Sequence, residues 1–300
     1  MLPNFFIAGA PKAGTTSLWR YLNQHPQIYM CEPKEPRYFA FEGTGVGLNG
    51  PNDRKCFVKR TLEDYKALFD GARETDAVGE ASQWYFYLPN ALEAIRKTIP
   101  GAKLLVILRD PAERAFSNYL HAWIEEHEPL SSFRDALAAE PMRIKAGWSP
   151  RFHYIQKGFY HKQMEECHKI FPASQVRIFL YEDLQTRPQW LLREVFDFLC
   201  IDQDHIVDSS ARYNESRPPR SRTVANVLNN RSIRKISKIV PDRIRQGLAS
   251  QFRAYNAAPK PKLSASDRAH LTNVYREDIL RLQDVIQRDL TLWLSKETTR

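Results

Sequence analysis

The run Lys103–Leu108 (KLLVIL) constrains the fold more than any other segment. Five aliphatic side chains in a row, between Gly101 and Arg109-Asp110-Pro111, are too few for a core helix. They also leave no polar face for a half-exposed strand. Such a segment is a strand covered on both faces, the environment of a parallel sheet with helices above and below. Asn4–Ala8 (NFFIA) is a second buried strand, and Gln27–Met30, Val78–Ala81 and Gln175–Tyr181 read as further ones. Helices are predicted to start at Thr15 or Thr16 and to cover 89–98, 111–126, 158–171 and 188–199, with His25-Pro26 closing the first. This alternation predicts an α/β fold, a central parallel β-sheet flanked by helices.

Residues 43–55, rich in glycine and asparagine, read as a surface loop. Beyond residue 223 the pattern is helical. It ends in an amphipathic stretch near 265–294 with Leu271, Val274, Ile279, Leu282, Val285, Ile286 and Leu290 on its apolar face. That face has the width of a core helix, so it is expected to pack on its own chain and leave a monomer. No repeat or linker divides the 300 residues, which read as a single domain, 1–300, with a core over 4–222 and a basic helical extension over 223–300.

A hydrophobic fraction of 43% supports a packed core and excludes a disordered chain. The four cysteines (Cys31, Cys56, Cys167, Cys200) lie far apart with no CxxC pair, which excludes a disulfide scaffold and a zinc ribbon and fits a reducing compartment. No stretch approaches eighteen apolar residues, so no membrane span is expected. The opening Met1-Leu2-Pro3-Asn4 shows no basic leader, and a cytoplasmic protein is expected. The formal charge of +9 is concentrated. Residues 216–245 carry Arg217, Arg220, Arg222, Arg231, Arg234, Lys235, Lys238, Arg243 and Arg245 against one acid, Asp242. A field of that size favours an anionic partner: phosphate, sulfate, nucleic acid or a membrane surface. Aromatic side chains for stacking single strands are scarce there.

In an open parallel sheet, ligands sit beyond the carboxyl ends of the strands, where helix N-termini point their N–H groups outward. Gly9-Ala10-Pro11-Lys12-Ala13-Gly14-Thr15-Thr16 occupies the first such place. Two glycines let backbone wrap an anion, and the lysine and threonines add donors. Gly9 and Gly14 have Walker A spacing, but Thr15 takes the lysine position and the lysine sits inside the loop at Lys12. The loop is thus P-loop-like but a poor match to a P-loop nucleotide kinase. A non-catalytic anion-binding or nucleic-acid-binding protein would account for the basic segment but not for this loop. No His/Asp spacing suggests a metal site.

The loop resembles the 5′-phosphosulfate element of the PAPS-dependent sulfotransferases. A second match follows the strand 103–108: Arg109-Asp110-Pro111-Ala112-Glu113-Arg114-Ala115-Phe116-Ser117 resembles that family's 3′-phosphate element. Both lie in the right order over a likeness spanning roughly 4–222, nearest the bacterial and heparan-sulfate-type branch. The resemblance implies 3′-phosphoadenosine 5′-phosphosulfate (PAPS) as sulfuryl donor, PAP as product and no metal. It puts the phosphosulfate on Pro11, Lys12, Ala13, Gly14, Thr15, Thr16 and Ser17, and the 3′-phosphate on Arg109 and Ser117. It places Arg217 and Arg220 in a loop closing over the nucleotide. The acceptor would be a hydroxyl or amine of a small molecule or sugar, not a nucleic acid.

Lys12 is the residue expected to steady the leaving phosphate. Cys31-Glu32-Pro33-Lys34-Glu35-Pro36-Arg37-Tyr38-Phe39 resembles the family's Lys-Glu-x-x-aromatic-Phe signature, which makes Glu35 the base that takes the acceptor's proton. That role is expected to draw on burial to raise its pKa. Lys34 and Arg37 are alternative partners for its carboxylate, and His25 and His121 are alternative bases. In Gly79-Glu80-Ala81-Ser82-Gln83-Trp84-Tyr85, Ala81 and Gln83 stand where the family has lysine and proline, which removes a cation that would hold a polysulfated sugar and favours a smaller acceptor. Variable loops near 40–60 and 125–155 are expected to shape the acceptor side.

Overall fold

A computed structural model describes residues 1–41, 46–56, 61–73, 77–210 and 261–295. The basic segment, with Arg217 and Arg220, lies outside them. Five parallel strands, β1 (Phe5–Gly9), β2 (Ile28–Met30), β3 (Ala77–Ala81), β4 (Lys103–Leu108) and β5 (Val176–Leu180), form one sheet in the order β2-β3-β1-β4-β5. The helices are α1 (Thr15–Leu22), α2 (Tyr38–Phe41), α3 (Asp53–Cys56), α4 (Leu62–Ala67), α5 (Pro89–Thr98), α6 (Pro111–Ile124), α7 (Phe133–Lys145), α8 (Tyr160–Ile170), α9 (Tyr181–Thr186), α10 (Pro188–Leu199) and α11 (Ala265–Ile286).

Phe5–Ala8 and Leu104–Leu108 are wholly buried, as unbroken apolar runs require when both sheet faces are covered. The chain builds β2 and β3 to one side of β1 and then crosses to β4 on the other. β1 therefore stands at the switch of strand order, and the loop following it opens into the crevice where such sheets take ligands. Local chemistry sets the helix starts. Asp110 caps α6 by accepting from the N–H groups of Ala112 (2.8 Å) and Glu113 (3.1 Å), a cap of about 1 kcal/mol, and Pro111 fills the first helical position.

Three expectations are corrected here. α1 is not capped by Thr15 or Thr16: its N-cap is Gly14 in the left-handed region (φ 95°), without a side-chain cap. The stretch 125–155 is not simply a loop but holds α7, fastened by a buried pair of hydrogen bonds from Arg143 to Glu128 (2.7 Å each). The C-terminal stretch is helical only to Ile286 and ends at Gln287 (φ 52°), with a 3-10 turn over Thr291–Leu294. It packs on its own chain, burying Leu271, Tyr275, Ile279 and Leu282, but Val285 of the expected apolar face is exposed.

Candidate active site

The loop between β1 and α1 is shaped by positions that tolerate little else. At Gly14 a Cβ would fall 2.6 Å from Leu184 Cδ2, and at Gly9 one would meet Phe86 Cβ at 2.9 Å. Lys12 itself takes a left-handed backbone (φ 66°). Left-handed residues just ahead of a helix lacking a side-chain cap form the kind of backbone cradle whose N–H groups can receive a phosphate or sulfate oxyanion.

Beside it lies a cleft of about 360 Å³. Pro11, Lys12 and Thr16 border it from the loop, Lys34, Glu35 and Arg37 from the segment after β2, and Gln83 and Trp84 from beyond β3. Asn118 and His121 of α6 and Glu125 at its C-cap line it, as do Arg151 and Lys157. Lys12 and Glu35, nominated from separate motifs, thus meet in one cavity. Ala13, Gly14, Thr15 and Ser17 belong to the cradle but not to the cavity wall. Arg109 joins the loop through its guanidinium, which donates to the Lys12 carbonyl (3.1 Å), lies over the Tyr181 ring (4.9 Å) and approaches Glu113 (3.5 Å). Ser117 is buried on α6, outside the cavity wall. Arg114, between them in sequence, is wholly buried and turns away to donate to the Tyr154 carbonyl.

The Glu35 segment is held from β3: the Glu35 N–H donates to the Ala81 carbonyl (3.0 Å) and the Arg37 N–H to Ser82 Oγ (3.0 Å). The carboxylate is clamped by Lys34 Nζ (2.7 Å) and by the Arg37 guanidinium, which also lies over the Trp84 ring (5.0 Å). Burial pushes the Glu35 pKa up, yet those two cations outweigh it and hold the carboxyl down at about 2. The expectation of a raised pKa is therefore wrong. Glu35 is ionised throughout the physiological range and paired with Lys34 and Arg37.

The two histidines part company. His121 shares the cleft, and partial burial together with the Lys12 charge lowers its pKa to about 3, so its ring is neutral. His25 packs against Phe196 (4.5 Å between ring centroids), with Nε2 2.9 Å from the Asp202 carbonyl, and lies outside the cleft wall. Sequence reasoning assigned no site role to Trp84, Asn118 or Arg151. Lys157 is buried, donating from Nζ to Asn118 Oδ1 (2.7 Å) and the Pro150 carbonyl, and burial drives its pKa well down. Sequence offers one signal for it: Lys157-Gly158-Phe159-Tyr160 resembles the sulfotransferases' Gly-x-Tyr element before a helix, for which a contact on the acceptor side is expected. Among the described residues, no group of three or more His, Cys, Asp or Glu is arranged to hold a metal, and no helix is long and apolar enough to cross a membrane.

The loop after the first strand, a carboxylate clamped by two cations and an arginine from the β4 end thus come together around one cleft. Residues 3–205 match the model of the sulfotransferase family, and the chain belongs to that family. The crystal structure of a sulfotransferase from Alicyclobacillus acidocaldarius superposes with a TM-score of 0.77 at 31% identity, covering 98% of this chain and 100% of that one. Among curated relatives, the membrane-associated sulfotransferase kil1 of Dictyostelium discoideum is 24% identical over 76% of this chain and 62% of its own length. Human carbohydrate sulfotransferase 15 is 26% identical over 72% of this chain and 48% of its own. The chain thus spans about half the length of these two relatives.

Proposed function

We propose that this chain transfers a sulfuryl group from 3′-phosphoadenosine 5′-phosphosulfate to a hydroxyl or amine of a small molecule or sugar, releasing PAP without a metal. The observation that carries the reading is that Lys12 of the glycine loop and Glu35 border one cleft. The nucleotide supplies an activated sulfate. The backbone of Pro11–Ser17 holds its 5′ end, and Arg109 with Ser117 takes the 3′-phosphate, with Arg217 and Arg220 as further contacts. Lys12 neutralises charge on the phosphate oxygen as its bond to sulfur breaks in line with the incoming acceptor atom. Glu35 accepts the proton that this atom sheds. A carboxylate of low pKa suffices, because bonding to sulfur makes the acceptor proton strongly acidic before it leaves.

A relative named for carbohydrate sulfation supports a sugar-like acceptor. Arg151 brings to the cleft a cation that Ala81 does not provide. We read the chain as one domain, monomeric and cytoplasmic. Lys12→Ala is the test: turnover of PAPS with a screened acceptor set falls at least a thousandfold, while a variant of wild-type rate removes Lys12 from the leaving-group role. Thermal unfolding with PAP in one sample and Mg-ATP in another checks the donor class. At about 100 times its dissociation constant a true ligand adds roughly 2.7 kcal/mol, and stabilisation by Mg-ATP alone would make the chain a kinase.

A further inference from the structure

The acid pair at the start of α6 faces two arginines. Glu113 presents Oε2 to Arg109 Nη2 (3.5 Å) and Oε1 to Arg268 Nη2 (2.8 Å). Arg268 also donates from Nη1 to Asp110 Oδ2 (2.9 Å), while Asp110 Oδ1 caps α6. Arg268 is wholly buried in the first turn of α11, outside the span 3–205 that defines the family. The cluster is balanced, two carboxylates against two guanidinium groups. Without Arg268 it would set two carboxylates against Arg109 alone, and a Coulomb attraction of that kind in a partly buried site draws the remaining cation onto the acids.

We propose that Arg268 is a positioning residue for the nucleotide's 3′-phosphate: by occupying Asp110 and Glu113 from behind, it leaves the Arg109 guanidinium available to that anion. The proposal rests on the reading that Arg109 takes the 3′-phosphate, and on three facts independent of it: the shared Glu113 carboxylate, the burial of Arg268 and the short contacts it makes. Arg109 is already oriented toward the glycine loop by its bond to the Lys12 carbonyl. What Arg268 adds is electrostatic freedom rather than direction.

Calorimetric titration of the full chain with adenosine 3′,5′-bisphosphate and with adenosine 5′-monophosphate tests this. Wild type prefers the bisphosphate. In R268M that preference falls about tenfold, the size of one charge-assisted contact, while affinity for the monophosphate changes less than twofold. Adding E113Q to R268M restores most of the preference, because the acid that would capture Arg109 is gone. Should R268M fail to fold, R268K with and without E113Q carries the same comparison, with a loss of about threefold. An unchanged preference in the Arg268 variants, an equal loss for both nucleotides, or no rescue by E113Q overturns the positioning role. A wild type with no preference between the nucleotides overturns the Arg109 assignment itself, and the proposal with it.

Discussion

Glu35 and Glu80 lie on adjoining segments and burial raises the pKa of each, yet they end on opposite sides of the ordinary carboxylate range. Glu35, at the cleft, is held by two full charges and sits at about 2. Glu80, on β3 beneath it, is fully buried and accepts from the hydroxyls of Tyr65, Tyr85 (2.8 Å) and Ser82, and it rises to about 7. Three hydroxyl dipoles favour the charged form but do not offset desolvation as a neighbouring lysine and arginine do. Net opposite charge, not the number of hydrogen bonds, decides the sign. The two sites are joined: Ser82 donates to Glu80 and accepts the Arg37 N–H, so the neutralising network below supports the charged loop above.

The largest effect separating the two is expected from Glu35→Gln, which lowers kcat by about 10²–10⁴-fold with PAP affinity unchanged. A comparable loss of PAP binding would make Glu35 a structural member of the loop and end the contrast. Next in size is a pH effect. Glu80 keeps its proton in the folded chain to about pH 7 but loses it near 4.5 when unfolded, so wild-type stability falls as pH rises between those values. Glu80→Gln removes that loss and gains about 3 kcal/mol on wild type between pH 4.5 and 8. Glu35 has the opposite sign: its depressed pKa contributes stability above pH 4.5 that is lost as pH falls toward 2. Chemical denaturation across pH 3–8 reads both slopes, and parallel slopes for the two Gln variants would break the comparison. The smallest effect is expected from Ser82→Ala, about 1 kcal/mol of stability and a few-fold in kcat. A rate loss as large as that of Glu35→Gln would mean the joint does more than support.

Much of the fold was legible from sequence because its central strands, β1 and β4, are apolar on both faces and three of its helices, α5, α6 and α10, start on prolines. Lys103–Leu108, Pro89–Thr98 and Pro188–Leu199 have the bounds their residues suggest. α7 was not legible: Pro141 lies inside it, and its buried Glu140 and Arg143 break the apolar pattern. At the site, the meeting of Lys12 and Glu35 followed from two motifs at strand ends. The clamp on Glu35 was visible only as a rival reading, since sequence lists Lys34 and Arg37 beside it without saying that both turn inward. Trp84 and Arg268 were hidden for a simpler reason. Their roles depend on partners such as Arg37 and Glu113, brought close only by the folded sheet.

The link between Glu113 and Arg268 spans 155 residues of chain. At roughly 5–20 residues per second, a ribosome delivers the acid about 8 to 31 s before the arginine that balances it. During that interval the nascent protein can already hold β1, β3, β4 and the glycine loop while Asp110 and Glu113 wait with Arg109 as their nearest guanidinium. Assembly of these strands and charge balance around Asp110 and Glu113 are thus separated in time, and the second waits for α11.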